Sequence, residues 1–248
     1  CWTRFDNESE LCRLNAALPG QVPVSKELAE ALRAAITAFT FTDGIVNANI
    51  GAALCAAGYS RSFALGPLEA AQAPAPVLSL PISVSVDNIV TSTEPVQLDL
   101  GGIGKGLAVD IALRWLRQHA ASGYVNAGGD IGVFGCSASK GVPVPLLHPT
   151  TGEPFATTHI TNGSIAMSTT AYRSWSTGDR VLHHIIDPRT ATSAVSDLLA
   201  VAVAETSTFV AEIAAKTCLI LGKKAGGTWL REKNIRHHWL VPVSTQLS

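Results

Sequence analysis

The sequence predicts an α+β protein with mixed, mostly antiparallel sheets and packed helices. Helical periodicity is confined to the first third, to the stretch after residue 106 and to the region beyond residue 207, while the middle is made of short β-like runs separated by Pro, Gly and Asn. A chain of 248 residues that is 47% hydrophobic and 15% charged can also bury a large core, in one domain or in two closely interwoven subdomains.

Taken in order, polar residues from Asp6 lead into Leu11, Leu14 and Leu18 at helical spacing, and Pro19-Gly20 ends that pattern. A second helix is expected over 25–37, with Ser25 as N-cap and Leu28, Leu32, Ala35 and Ile36 on one face. Thr42-Asp43-Gly44 reads as a turn, followed by a weakly amphipathic segment over 45–57. Residues 70–81, rich in Ala and Pro, read as a surface connection.

Strands are then expected over 82–86 and 96–100. The second runs into Asp99-Leu100-Gly101-Gly102-Ile103-Gly104-Lys105-Gly106, and a helix follows whose apolar stripe is Leu107, Ala108, Ile111, Ala112, Trp115 and Leu116. Strand, glycine turn and helix in that order bring bare N–H groups, a positive helix end and a lysine to one point, which suits an anion. The spacing matches neither common nucleotide-binding fingerprint, and a turn whose glycines only permit positive φ and close packing explains it equally well.

Further strands are expected over 123–127 and 131–134, separated by Gly128-Gly129-Asp130, then over 142–147, 157–160, 164–167, 181–186 and 198–204. The run over 198–204 is nearly continuous in apolar residues, as in a strand covered on both faces. A last helix starts near Ser207, turns Phe209, Val210, Ile213, Ala214, Thr217, Ile220 and Leu221 inward and ends at Gly222; a closing strand follows over 239–243.

Composition excludes several classes. A net charge of −1 with no basic stripe leaves no electrostatic footprint for nucleic acid. Apolar runs fall far short of the roughly 20 residues that cross a bilayer, so no transmembrane segment is expected. Five scattered cysteines without a C-x-x-C pair point to buried free thiols. The start, Cys1-Trp2-Thr3-Arg4-Phe5-Asp6, has neither a basic nor an apolar leader region, although Cys1 also fits a mature lipoprotein.

Few side chains announce chemistry. Glu212 and Lys216 stand four apart on the last helix, an ordinary ion pair in the favourable sense, or a carboxylate and an ammonium for a metal and a phosphate. His184 ends a strand and His183 must face the other way, so the two do not chelate together. Asp99 and Asp130 each flank a glycine pair, where either caps a turn or accepts from a sugar hydroxyl.

The order of these pieces resembles the ApbE-type FAD:protein FMN transferases. The likeness rests on Arg4-Phe5-Asp6-Asn7-Glu8-Ser9-Glu10-Leu11 and Arg13-Leu14-Asn15, the 99–106 stretch with Ala108-Val109-Asp110, Asn126-Ala127-Gly128-Gly129-Asp130-Ile131, and His184-Ile185-Ile186-Asp187-Pro188-Arg189-Thr190. It implies an ApbE-like, T-fold-like architecture, with a family strand expected before Cys1. It implies that FAD is split, that FMN is attached by a phosphoester bond to Thr or Ser of an acceptor flavoprotein, and that AMP is released with the help of Mg²⁺. An FAD-binding protein without transfer, or an FAD pyrophosphatase giving free FMN, are the alternatives. A bacterial protein is expected, cytoplasmic or on the outer face of a membrane.

Carried over, the resemblance assigns FAD contacts to Phe5, Ile45, Val46, Asn47, Asp99, Lys105, Gly128, Gly129, Asp130, Ser168, Ile186 and Lys216. It assigns metal ligation to the Gly102 carbonyl and Glu212, and an acid, base or orienting role to His184. The chain departs from the family pattern at several points. Where an Asp and, four residues on, a Thr hold Mg²⁺, it has Glu212 and Lys216, and an ammonium cannot ligate a cation. Asn47-Ala48 stands for Asp-Pro, Met167-Ser168-Thr169 for Thr-Ser-Gly, and Ala191 for a glycine, which weighs against a positive φ there.

Overall fold

The computed structural model describes residues 2–137 and 141–243. In chain order the first elements are α1 (Glu10–Ala17), β1 (Gly20–Pro23), α2 (Lys26–Phe41), α3 (Gly51–Ala56), β2 (Ser83–Val84) and β3 (Ile89–Ser92). Then come α4 (Gly104–Leu116), β4 (Gly123–Ala127), β5 (Asp130–Phe134), β6 (Val142–Leu147), β7 (Pro154–Ile160) and β8 (Gly163–Thr169). The last are β9 (Ser174–Thr177), β10 (Arg180–His183), β11 (Ile186–Asp187), β12 (Thr192–Ser193), β13 (Leu198–Glu205), α5 (Thr208–Glu232) and β14 (His237–Pro242). The α+β class is as expected, and every strand pairing is antiparallel.

Two compact units divide the chain: one holds the chain up to Gly104 with Arg173–Ala194, the other Lys105–Tyr172 with the chain from Val195 onward. In the first unit, Ser9 and Ser25 cap α1 and α2 by accepting the N–H groups of Cys12 and Leu28, each at 3.1 Å. Glu10 accepts both the N–H and the hydroxyl of Ser25 at 2.6 Å, which ties one helix entry to the next. Helix α2 runs on to Phe41 instead of stopping at 37, since nothing before Gly44 breaks it and the Thr37 and Thr40 hydroxyls fold back onto carbonyls one turn earlier. Strand β3 lies between β1 and β2. A separate cluster of Ala53, Leu54, Tyr59, Trp175, Leu182 and Ile186 forms a core around α3.

Four expectations in this unit are corrected. The 82–86 strand is reduced to β2, because the Ser85 carbonyl already accepts the Asn88 N–H of the following turn. Residues 96–100 form no strand, because side chains satisfy their backbone: Asn15 accepts from Leu98 N–H at 2.8 Å and donates to its carbonyl at 2.9 Å, and Asn49 accepts from Gln97 N–H at 2.9 Å. The 45–57 segment is helical only over α3, since Asn47 holds its own loop by accepting the N–H of Asn49. The expected 181–186 strand is split between β10 and β11, which pair with β9 and β12 respectively. Ala191, by contrast, keeps a left-handed turn at φ 54° despite lacking a glycine's freedom.

The second unit is a five-stranded sheet in the order β14-β13-β8-β5-β4. Its alternating side chains serve two layers. Val133, Ile165 and Ala202 pack with Val144, Leu146 and Ile160 of the β6–β7 hairpin, whereas Phe134 packs with Val109 and Leu113 of α4. Helix α5 lies on β8 and β13, so β13 is covered on both faces, as its apolar run predicts.

The buried face of α4 is Gly106, Leu107, Val109 and Leu113; Ala108 and Trp115 are exposed, so the expected stripe is turned by about one residue. Gly222, at φ 79°, does interrupt α5, and a second helical stretch follows it to Glu232. Among the described residues no helix is long and apolar enough to cross a membrane. Cys218 is a buried free thiol, pushed up to about 12 by its burial and then by Asp197. Cys55 is exposed, Cys12 and Cys136 are half-buried, and Cys1 lies outside the described residues, so burial does not hold for the thiols in general.

Candidate functional site

None of the glycines at 101, 102, 104 and 106 has a positive φ. What Gly106 supplies is space: a Cβ there would lie 2.7 Å from the Thr208 carbonyl oxygen and 2.9 Å from the Phe209 backbone. The start of α4 thus presses on the start of α5, and Asp110 locks the two by accepting the N–H groups of Thr208 and Phe209 and the Ser207 hydroxyl. That close approach brings a carboxylate to the helix N-terminus. Gly106 N–H donates to Glu212 Oε2 at 2.9 Å. An anion does belong at this point, and the protein's own side chain supplies one.

Around Glu212 the second unit assembles four charges. Lys105 Nζ donates to Asp130 and stands 3.6 Å from Glu212 Oε1, while Lys216 Nζ stands 3.7 Å from the same oxygen. Asp130 and Glu212 are almost wholly buried and Lys216 nearly so, whereas the Lys105 side chain keeps 43% of its surface. Burial pulls the Lys105 ammonium down, but Glu212 and then Asp130 together outweigh it and leave it above the usual lysine range. Burial pushes the Glu212 carboxyl up, with Lys216 and then Lys105 opposing. The Glu212–Lys216 spacing therefore marks a buried partnership and not a solvated helix face.

Asp130 is placed by a two-residue hairpin turn. Gly128 and Gly129, at φ 63° and 99°, give the doubly left-handed turn that matches strand twist, and Gly129 N–H donates to Asn126 Oδ1 at 2.9 Å. Both glycines also border a cleft of about 610 Å³ with Tyr124, Met167 and Tyr172. Ser168 is buried in β8 opposite Val201.

In the first unit, Asp99 caps its own turn by accepting Gly101 N–H at 2.8 Å, and its other oxygen accepts from Arg4 Nε at 2.6 Å. The Arg4 guanidinium lies over the rings of Phe5 and Tyr59, 4.3 and 4.9 Å from their centroids. Phe5 is 41% exposed, and Tyr59 continues the aromatic group to Trp175, whose indole N–H donates to the Ala57 carbonyl. Arg4, Tyr59 and Trp175 are not among the residues that the resemblance assigns to FAD; Arg4 stands in the opening motif, and no local pattern marks Tyr59 or Trp175.

The remaining expected residues of this unit are scattered in role. Ile45 and Val46 are buried; Asn47 donates to the carbonyls of Val77 and Ser79, at 2.9 and 3.1 Å, and pins the 70–81 connection. Ile186 is core. His184 is half-buried at the break between β10 and β11, where its N–H donates to the Arg173 carbonyl. His183 is buried, with Nε2 donating to the Ala194 carbonyl and Nδ1 accepting Ile185 N–H. Burial holds its pKa below the usual histidine range. Gly102 belongs to the first unit and Glu212 to the second.

The donor set does not suit the Mg²⁺ that the resemblance implies. Glu212 Oε2 is taken by Gly106, Oε1 is flanked by two ammoniums, and Asp130 is taken by Lys105. At an effective dielectric of about 20, like charges 4 Å apart repel by roughly 4 kcal/mol per unit charge, and a divalent ion doubles that. Among the described residues no group of three or more His, Cys, Asp and Glu is arranged to hold a metal ion.

The model of the ApbE family matches residues 1–239. The FAD:protein FMN transferase of Chlamydia muridarum is 31% identical over 144 residues, which is 56% of this chain and 44% of that relative. That of Treponema pallidum is 31% identical over 150 residues, 55% of this chain and 41% of the relative. The matched stretch thus spans less than half the length of these curated relatives. Among solved structures, the ApbE protein of Thermotoga maritima superposes with a TM-score of 0.82 at 21% identity, covering 97% of this chain and 81% of that one. The Pseudomonas stutzeri flavinyl transferase ApbE in its apo form gives 0.82 at 20% identity, covering 98% and 78%. These likenesses concern the fold, whereas the family model reaches from the Arg4-Phe5 motif past the Glu212–Lys216 pair: the chain belongs to the ApbE family.

Proposed function

We propose that this chain splits FAD at its pyrophosphate and transfers FMN to a Thr or Ser hydroxyl of an acceptor flavoprotein, releasing AMP. The observation that carries this reading is the buried Lys105–Asp130–Glu212–Lys216 cluster at the start of α4, in a chain matched by the family model over residues 1–239. The printed names of the relatives, FAD:protein FMN transferase, support it.

In the reaction the acceptor oxygen forms a bond to the FMN-side phosphorus, and the bond from that phosphorus to the bridging oxygen breaks. The electron pair leaves with AMP, and the hydroxyl proton passes to His184 as general base. Lys105, held above the usual lysine range and partly exposed, neutralises charge on the phosphates, with Asp130 fixing its direction. Phe5, with Arg4 behind it, offers an exposed ring to the flavin, and Asp99 keeps Arg4 in place. In the same reading the buried Ile45, Val46, Asn47, Ser168 and Ile186 support FAD-binding residues from within their own units, and Gly128 and Gly129 make the turn that places Asp130.

The test is incubation with FAD and a Thr-bearing acceptor, followed by denaturing gel fluorescence and nucleotide analysis. Covalently fluorescent acceptor with AMP is expected; AMP with free FMN would make the chain a pyrophosphatase. A second reading, FAD binding without transfer, is favoured by Lys216 standing where the family pattern has a metal ligand, and predicts intact FAD throughout.

A further inference from the structure

We propose that Lys216, acting with Lys105, takes the place of the divalent cation at this site, so that the chain binds the FAD pyrophosphate through two ammoniums and needs no metal to do so. This rests on the reading of FAD as substrate and adds how its phosphates are held.

The argument begins at Glu212. A carboxylate this deeply buried needs compensating charge, and two cations serve it from different helices: Lys105 in the first turn of α4 and Lys216 one turn on along α5. Both ammoniums address the same oxygen, Oε1, at 3.6 and 3.7 Å, while the other oxygen is fixed by Gly106 N–H. An ion bound through Oε1 would compete with ammoniums already in the chain. The two lysines differ in what they offer a ligand. Lys216 is 13% exposed and secured on its own helix, whereas Lys105 keeps 43% of its side-chain surface and can turn its remaining N–H groups outward. The N–H groups that Lys105 does not give to Asp130, with the Lys216 charge beside them, form a phosphate-binding pair of the kind for which lysine is suited. Asp130 holds Lys105, and Glu212 Oε1 lies beside both ammoniums.

The test is FAD affinity of the whole chain, read by flavin fluorescence, in chelator and in Mg²⁺. For the unsubstituted chain the two affinities should agree within about twofold, and Mn²⁺ added alone should keep the electron paramagnetic resonance signal of the free ion. In Lys216→Thr, binding in chelator should weaken by about tenfold or more and recover with Mg²⁺, since one charge-assisted contact is lost and an oxygen ligand gained. Lys216→Arg, which keeps the charge, should bind FAD in chelator and shows whether a loss in the Thr variant comes from charge or from misfolding. Metal-dependent binding by the unsubstituted chain, or unchanged binding by Lys216→Thr in chelator, would overturn the proposal while leaving the FAD reading intact. Failure to bind FAD in either buffer would overturn both.

Discussion

Glu212→Gln isolates the charge on which the α4–α5 junction is built. The variant keeps an oxygen for Gly106 N–H but removes the negative charge shared by Lys105 and Lys216. Breaking a buried ion pair costs about 3–5 kcal/mol, and the lower end applies because Lys216 retains 13% exposure and Lys105 keeps Asp130. The hydrogen bond from Gly106 also falls from a charged acceptor to a neutral one, about 1 kcal/mol that overlaps with the first figure. Burial, which raises the Glu212 pKa, works against the pairing and argues again for the lower end. The expected loss is about 3 kcal/mol, or a fall in Tm of roughly 6–12 °C for a chain of this size. Calorimetric melting at pH 7 measures it, and Glu212→Gln with Lys216→Met should recover at least about 1 kcal/mol of it. A loss under about 0.5 kcal/mol, or strict additivity in the double variant, would refute the idea that an ionised Glu212 organises the cluster.

The same structure makes three further predictions. Gly106→Ala should destabilise by about 2 kcal/mol because its methyl meets α5 backbone, whereas Gly104→Ala, with only Trp2 at 3.9 Å, should be neutral or slightly stabilising; equal effects in chemical denaturation would contradict the packing account. His183, neutral and buried, contributes stability that is fully present above its unfolded pKa of about 6.5 and is lost as pH falls from there through its lowered folded value; His183→Gln should flatten the fall in Tm below about pH 6.5, and parallel curves would oppose this. His184→Ala should lower single-turnover transfer by about 10²- to 10⁴-fold with FAD affinity kept, and equal rates would remove His184 from the chemistry.

Local patterns made much of the second unit legible. The 123–127 and 142–147 strands match β4 and β6, since each is a short β-like run bounded by turn residues, and β13 could be read from its apolar run. Residues 96–100 misled because they alternate like a strand, yet Asn15 and Asn49 satisfy their backbone from far along the chain, which no window of sequence displays. The stripe of α4 is ambiguous in sequence because apolar residues stand on both of its faces, Ala108, Ala112 and Trp115 on one and Val109 and Leu113 on the other, and packing selects the face with Gly106. In the site, Lys105, Asp130, Glu212 and Lys216 were each recognisable, but their meeting depends on the close approach that Gly106 permits. The Arg4–Asp99 pair, 95 residues apart, was beyond the reach of spacing arguments altogether.

Phosphorus NMR of FAD titrated with the full chain in chelator addresses the lysine cluster most directly. Both pyrophosphate resonances should shift as the chain is added and, once a Thr-bearing acceptor is supplied, give way to AMP and a phosphodiester in equal amounts. Pyrophosphate resonances that stay unmoved while flavin fluorescence reports binding would contradict the placement of the phosphates on Lys105 and Lys216.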